Sequence, residues 1–85
     1  MCSYIVERTA VTGSAKAAGT WTSITDAVVS VDHPSHATLD HALIVDFVHA
    51  GRPVSERVAL ELSVPSAREL VACMQAALDA FVEGP

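Results

Sequence analysis

The chain contains few of the residues that mark several common classes of protein. Its two cysteines, Cys2 and Cys73, stand at opposite ends of 85 residues and match no disulfide framework. No apolar run approaches the roughly 18–20 residues that a membrane-spanning helix needs. The first residues also lack the basic leader of a signal peptide. These absences predict a reduced, cytoplasmic protein that does not enter a membrane.

Basic residues are scarce as well. Five Lys and Arg stand against ten Asp and Glu, which gives a formal net charge of −5, and the five are scattered along the chain. Binding to nucleic acid or to an anionic membrane requires clustered cations that displace counterions. We therefore expect neither of them as a partner.

Aromatic residues make up only 5% of the chain, although 51% of it is apolar. The apolar surface is therefore mainly aliphatic, and 85 residues leave room for one domain, residues 1–85. A chain this small cannot bury so much aliphatic surface by itself. This balance predicts a homo-oligomer, with a dimer as the favoured form, and leaves a different protein partner open.

Four segments have the composition of β-strands. They are residues 3–11, 21–31, 41–49 and 55–62, and each alternates between two faces. The small and polar residues 12–20 are expected to form a loop. In the third strand both faces are largely apolar, which is typical of a central strand.

The last segment has the pattern of an amphipathic helix. Ser66 and Glu69 have the spacing of a capping box, with Pro65 just before it, and we predict a helix over 66–82. Its apolar stripe consists of Leu70, Met74, Ala77, Leu78 and Phe81.

The predicted fold is α+β: a four-stranded antiparallel meander with one C-terminal α-helix packed on one face. We expect the helix on the face of strand four that carries Val58, Leu60 and Leu62. One helix covers one face of such a sheet. The remaining aliphatic surface then requires another subunit.

The segment 32–41 contains three of the four histidines and two aspartates. Neutral imidazoles are good ligands for zinc or another transition metal. His33, His36 and His41, with Cys2 as a fourth ligand, are therefore a candidate metal site. One alternative is a polar loop with solvated histidines and aspartates that cap turns. Another is a proton-transfer or pH-sensing role for the histidines.

Asp46 interrupts an apolar face of the third strand. A carboxylate in this position is paired, hydrogen-bonded or perturbed in pKa. One interpretation is a general acid or base that works with a histidine. The other is a partner for an Arg, Thr or Tyr of a neighbouring strand, or a residue at a polar gap in an oligomer interface. Asp26 has the same two interpretations.

Several short motifs together resemble a family of small uncharacterised proteins, chiefly from actinobacteria. They cover nearly the whole length: Met1-Cys2 with Tyr4, Gly13-Ser14-Ala15-Lys16 before Trp21, Asp32-His33-Pro34 with His36-Ala37, His41 leading into Val45-Asp46-Phe47, Arg57-Val58-Ala59 with Glu61-Leu62, and Ser66-Ala67-Arg68. The resemblance implies no assigned reaction. It does imply that a functional site should be sought at Cys2, His33, His36, His41 and Asp46.

Three functions follow from these patterns. The first is an oligomeric binding or accessory module, which we rank ahead of the others. The second is a transition-metal-binding protein that uses His33, His36, His41 and Cys2. The third is a small enzyme in which Asp46 and a histidine act as acid and base, and nothing in the sequence identifies its substrate.

Overall fold

A computed structural model describes residues 5–53 and 56–81. The chain forms β1 (Ile5–Ala17), β2 (Thr20–Asp32), β3 (Ala42–Val48), β4 (Val58–Ser63) and α1 (Val64–Ala80). The strands form one antiparallel sheet in the order β1-β2-β3-β4. The predicted meander with one C-terminal helix is confirmed.

The predicted loop over residues 12–20 is wrong. β1 continues to Ala17 and pairs with β2 up to Thr20, so that only Ala18 and Gly19 form the turn. Their φ angles of 51° and 83° fit a two-residue hairpin turn, which requires positive φ at both positions. Pairing with β2 therefore overrides the weak strand propensity of the small residues. A bulge between Ala10 and Gly13 absorbs one extra residue of β1.

The register assigns the side chains of the central strands to two faces. Val31 lies opposite Leu43, which lies opposite Leu62, and α1 lies over this side. We call it the helix face. Ile44, opposite Glu61, lies on the other side, together with Asp46, opposite Ala59. The segment 33–41 crosses this second side, which we call the loop face.

A turn after β3 leads towards β4. The amide of Arg52 donates to the carbonyl of His49 at 3.0 Å, and Gly51 has a φ of 86°, which glycine adopts without strain. β4 begins only at Val58, because Glu56 and Arg57 are not in the sheet. Residue 55, the predicted first residue of this strand, lies outside the described residues.

The helix begins two residues earlier than predicted. Its N-cap is Ser63, whose Oγ accepts a hydrogen bond from the amide of Ser66 at 3.2 Å. The prediction of a capping box at Ser66 and Glu69 is therefore wrong. Pro65 fits inside the first turn, where an amide hydrogen has no partner within the helix. The helix ends at Ala80, and residue 82, the predicted end, lies outside the described residues.

The core is thin. Among the described residues the buried apolar side chains are Ala27, Ala42 and Ala67, and no large side chain is fully buried. The helix contacts β3 and β4, but Ala67 is its one buried residue. No residue separates the end of β4 from the start of α1. The helix therefore leaves the sheet directly at Ser63.

The position of the helix cap can be tested with two serines. We expect Ser63→Ala to lower the free energy of unfolding by about 1 kcal/mol, because the amide of Ser66 loses its acceptor. Ser66→Ala keeps that hydrogen bond and is the matched control. Urea unfolding followed by circular dichroism measures both. A larger loss for Ser66→Ala than for Ser63→Ala would place the cap at Ser66 instead.

Candidate functional site

An open groove lies between the helix and the helix face of the sheet. Val31 and Leu43 form its sheet side, and the helix contributes Val64, Ala67 and Val71. Its volume is about 610 Å³, and its remaining lining residues are Arg68, Ala72 and Gln75. The groove is mainly apolar, so it suits an apolar occupant.

The apolar stripe of the helix lies beside this groove and is exposed. Met74, Leu78 and Phe81 are 55%, 68% and 67% exposed, and Leu70 is 38% exposed. Successive helix residues are rotated by about 100° around the helix axis. Most residues of the stripe therefore lie roughly a quarter of a turn or more around the helix from the residues that line the groove. The stripe predicted from the sequence therefore exists, but it does not pack on the protein's own sheet.

On the loop face, one carboxylate holds the segment that contains the histidines. Three successive amides donate to Glu61: Ser35 N to Oε2 at 2.6 Å, His36 N to Oε1 at 3.0 Å and Ala37 N to Oε1 at 2.9 Å. Successive backbone amides that point into one concavity form an anion-binding nest. Here the anion is a side chain of the protein itself.

These hydrogen bonds change the acidity of Glu61. The amide of Ala37, then that of Ser35, holds the pKa of the Glu61 carboxyl below its usual range, while partial desolvation acts in the opposite direction. Sequence analysis named Glu61 only within a family motif and missed this role. Strand alternation indicates the face of a side chain but not its partner, and no sequence signal pointed to one.

The candidate histidine ligands are only partly brought together. The rings of His33 and His41 stack with their centroids 5.0 Å apart. His33 Nδ1 lies 2.6 Å from the carbonyl oxygen of Asp40. A carbonyl only accepts, so Nδ1 carries the proton and a neutral ring has its lone pair on Nε2. His36 is held through its backbone amide to Glu61 instead.

The metal hypothesis stays a prediction. Among residues 5–53 and 56–81, no group of three or more His, Cys, Asp or Glu side chains has an arrangement that could hold a metal ion. Cys2, the predicted fourth ligand, lies outside this part of the chain. A site here would need His36 or Cys2 to join His33 and His41.

Asp46 forms an ion pair with an Arg that precedes the neighbouring strand. Arg57 Nη1 lies 3.5 Å from Asp46 Oδ1, an atom shielded from solvent with no hydrogen-bond partner among the described residues. This ion pair agrees with the interpretation of Asp46 as a partner for a neighbouring Arg. Asp46 and His36 both line one pocket on the loop face, and the acid–base hypothesis stays a prediction.

Asp26 also lies on the loop face and has its own partners. Thr25 Oγ1 donates to its Oδ1 at 2.7 Å, and Arg8 Nε lies 3.2 Å from its Oδ2. The Thr25 hydroxyl, followed by the Arg8 guanidinium, lowers the pKa of Asp26. Asp46 pairs across the sheet with Val28, two residues from Asp26. The two carboxylates therefore share a face, each with a separate Arg.

A four-stranded meander with a C-terminal helix, an open apolar groove and a carboxylate-held histidine segment defines a small α+β protein with two distinct surfaces. The chain belongs to DUF6295, a family of unknown function whose model matches residues 1–85. Membership in a family without an assigned reaction is confirmed, and the actinobacterial source stays a prediction. No curated protein and no solved structure matches the chain. In the described part of the chain, no helix is long and apolar enough to cross a membrane.

The hydrogen bonds to Glu61 predict that the stability of the fold decreases in acid. A carboxyl whose pKa is lower in the folded than in the unfolded state stabilises the fold fully above its unfolded pKa, about 4.3 for Glu. That contribution is lost as pH falls through the lower, folded value. We expect Glu61→Gln to destabilise the protein at pH 7 and to reduce the loss of stability between about pH 5 and pH 3.

Glu7→Gln, on the exposed edge strand β1, removes the same charge and is the matched control for this experiment. Urea unfolding as a function of pH measures all three proteins. Identical pH profiles for the Glu61→Gln and Glu7→Gln variants would contradict the nest.

Proposed function

We propose that the protein is a homodimeric binding module, in which the helix of each copy lies over the groove of the other. The observation that carries this proposal is the exposed apolar stripe of α1 beside an apolar groove on the same side of the molecule. A two-fold axis would place each stripe against the groove of the second copy, as an isologous interface requires. The loop face then remains available to a ligand or a further partner.

The exposed area supports a second copy as the occupant. The chain has 6485 Å² of accessible surface, whereas a compact monomer of 8.9 kDa is expected to have about 4,800 Å². The excess of about 1,700 Å² is twice the roughly 800 Å² that each partner contributes to a standard interface. An interface of stable-dimer size therefore fits within the surplus.

The dimensions show that the chain is extended. The radius of gyration is 14.5 Å, against about 12 Å expected for 85 residues folded as a compact domain. The long axis of 51 Å is more than twice the short axis of 23 Å. A chain with such a thin core gains a full core when a second copy supplies the missing layer.

The composition of this surface also favours association. Leu70, Val71, Met74, Leu78 and Phe81 are all exposed large apolar side chains of the helix or its C-cap. Large contiguous apolar patches are rare on monomers and mark interaction sites.

We expect the purified protein to sediment as a dimer at micromolar concentration. The double substitution Met74→Glu and Leu78→Glu should weaken dimerisation at least 100-fold, because burying each apolar side chain contributes about 1.5–3 kcal/mol. Sedimentation velocity over a range of concentrations measures the dissociation constant.

Ala76→Glu, on the other side of the same helix, is the control and should leave the dimer intact. A wild-type protein that stays monomeric at 100 micromolar, or a dimer that Ala76→Glu weakens as much as the double substitution does, would contradict the proposed interface.

Metal binding by the histidine segment is the second candidate. The Nδ1 proton that His33 donates to the carbonyl of Asp40 favours it. Histidines that ligate metals commonly donate their other ring nitrogen to a carbonyl or carboxylate in this way.

Native mass spectrometry of untagged protein with added zinc tests this candidate. We expect one zinc ion per chain, and we expect the double substitution His33→Asn and His41→Asn to abolish uptake. His49→Asn is the control, since His49 contacts Ser23 on the helix face. Equal zinc uptake by all variants, or no uptake by the wild type, would exclude the site.

A further inference from the structure

A second pocket lies on the loop face, away from the proposed dimer interface. Its volume is about 420 Å³, within the range of small-molecule sites. Its apolar lining comes from Ile44 and Ala59, and Leu60 also borders it. Its charged side chains are Asp46, Arg57 and Glu61, with Ser35 and His36 also at the wall.

One of the two carboxylates of this pocket is already occupied. Glu61 accepts three backbone hydrogen bonds from residues 35–37, which satisfy most of its acceptor capacity. The three amides stabilise this charged carboxylate and leave it little capacity for a ligand. Asp46 and Arg57 remain as the charged groups with capacity for a ligand.

The Asp46–Arg57 pair is incompletely bonded. The 3.5 Å between Arg57 Nη1 and Asp46 Oδ1 exceeds the roughly 2.7–2.9 Å of a good charged hydrogen bond. Arg57 is 49% exposed and Asp46 is 23% exposed, although Oδ1 itself is shielded. Arg57 makes no hydrogen bond to another described residue, and its guanidinium has five N–H donors. Both side chains can therefore contact a ligand in the pocket.

We propose that this pocket binds a small zwitterion of the α-amino-acid class. Its ammonium group would lie beside the Asp46 carboxylate, and its carboxylate would accept hydrogen bonds from the Arg57 guanidinium. An apolar side chain would lie against Ile44 and Ala59. The Asp46 carboxylate would repel a simple anion, and the Arg57 guanidinium would repel a simple cation. The pair therefore selects a ligand that carries both charges.

Three probes of one shape test the charge requirement. L-Leucine carries both groups, 3-methylbutylamine lacks the carboxylate and 4-methylpentanoate lacks the ammonium group. In ¹H–¹⁵N correlation spectra of the full chain we expect leucine to cause saturable shifts at residues 35–36, 44–46 and 57–61. We expect a dissociation constant on the order of 0.1–1 mM for a ligand of this size. Each single-charge analogue should bind at least tenfold more weakly.

Substitutions in the same titration test the two side chains. Asp46→Asn and Arg57→Gln should each weaken leucine binding at least tenfold. Arg57→Lys keeps the charge but loses the planar fork, and should weaken it several-fold. Arg52→Gln is the control, because Arg52 donates to Thr22 away from the pocket. The dispersion of each spectrum shows directly whether the variant is folded. If Arg57→Gln does not fold, Asp46→Asn alone tests the proposal.

Three results would overturn the proposal. They are the absence of saturable shifts up to about 20 mM leucine, binding of either analogue as tight as that of leucine, and leucine binding that Asp46→Asn leaves unchanged. The site is on the opposite face from the helix, so none of these results depends on the oligomeric state. Failure of the dimer and failure of the pocket are therefore separate outcomes.

Discussion

The junction between β4 and α1 constrains the rest of this structure. Ser63 ends the strand and caps the helix at once, so the strand passes into the helix without a connecting loop. The backbone of Ser63 therefore sets the direction in which the helix leaves the sheet. The helix contacts β3 and β4, while most of its large apolar side chains are exposed.

That constraint gives the two faces of the sheet different environments. The helix face combines a groove and an exposed apolar stripe, and both suit a large apolar partner surface. The loop face is instead organised by polar contacts. The three amides bound to Glu61 hold the segment 33–41 against the sheet. Arg57 forms an ion pair with Asp46 of β3, and Arg8 forms one with Asp26 of β2. Apolar association on one side and small polar ligands on the other are therefore compatible.

Much of this architecture could be predicted from residue patterns. Alternation in the third strand correctly separated Leu43 and Val45 from Ile44 and Asp46, and helical periodicity identified the stripe with Met74 and Phe81. Periodicity shows which side chains share a face, but it contains no information about which surface covers that face. The sequence interpretation therefore found the stripe and expected it to lie on the protein's own sheet.

The errors have local causes. Two serines three residues apart, Ser63 and Ser66, both fit a helix cap, and only the end of the strand decides between them. The small residues 12–17 have weak strand propensity and join the sheet because β2 pairs with them. Glu61 was missed because its partners are backbone amides, which every residue except proline has.

We propose that a second copy covers the apolar side of the helix. Isotope-filtered NOE spectra of an equal mixture of ¹³C-labelled and unlabelled chains test this most directly. We expect intermolecular NOEs between the methyl group of Met74 in one copy and the methyl groups of Val31 or Leu43 in the other. The absence of intermolecular NOEs, together with the tumbling rate of a single 8.9 kDa chain, would contradict it.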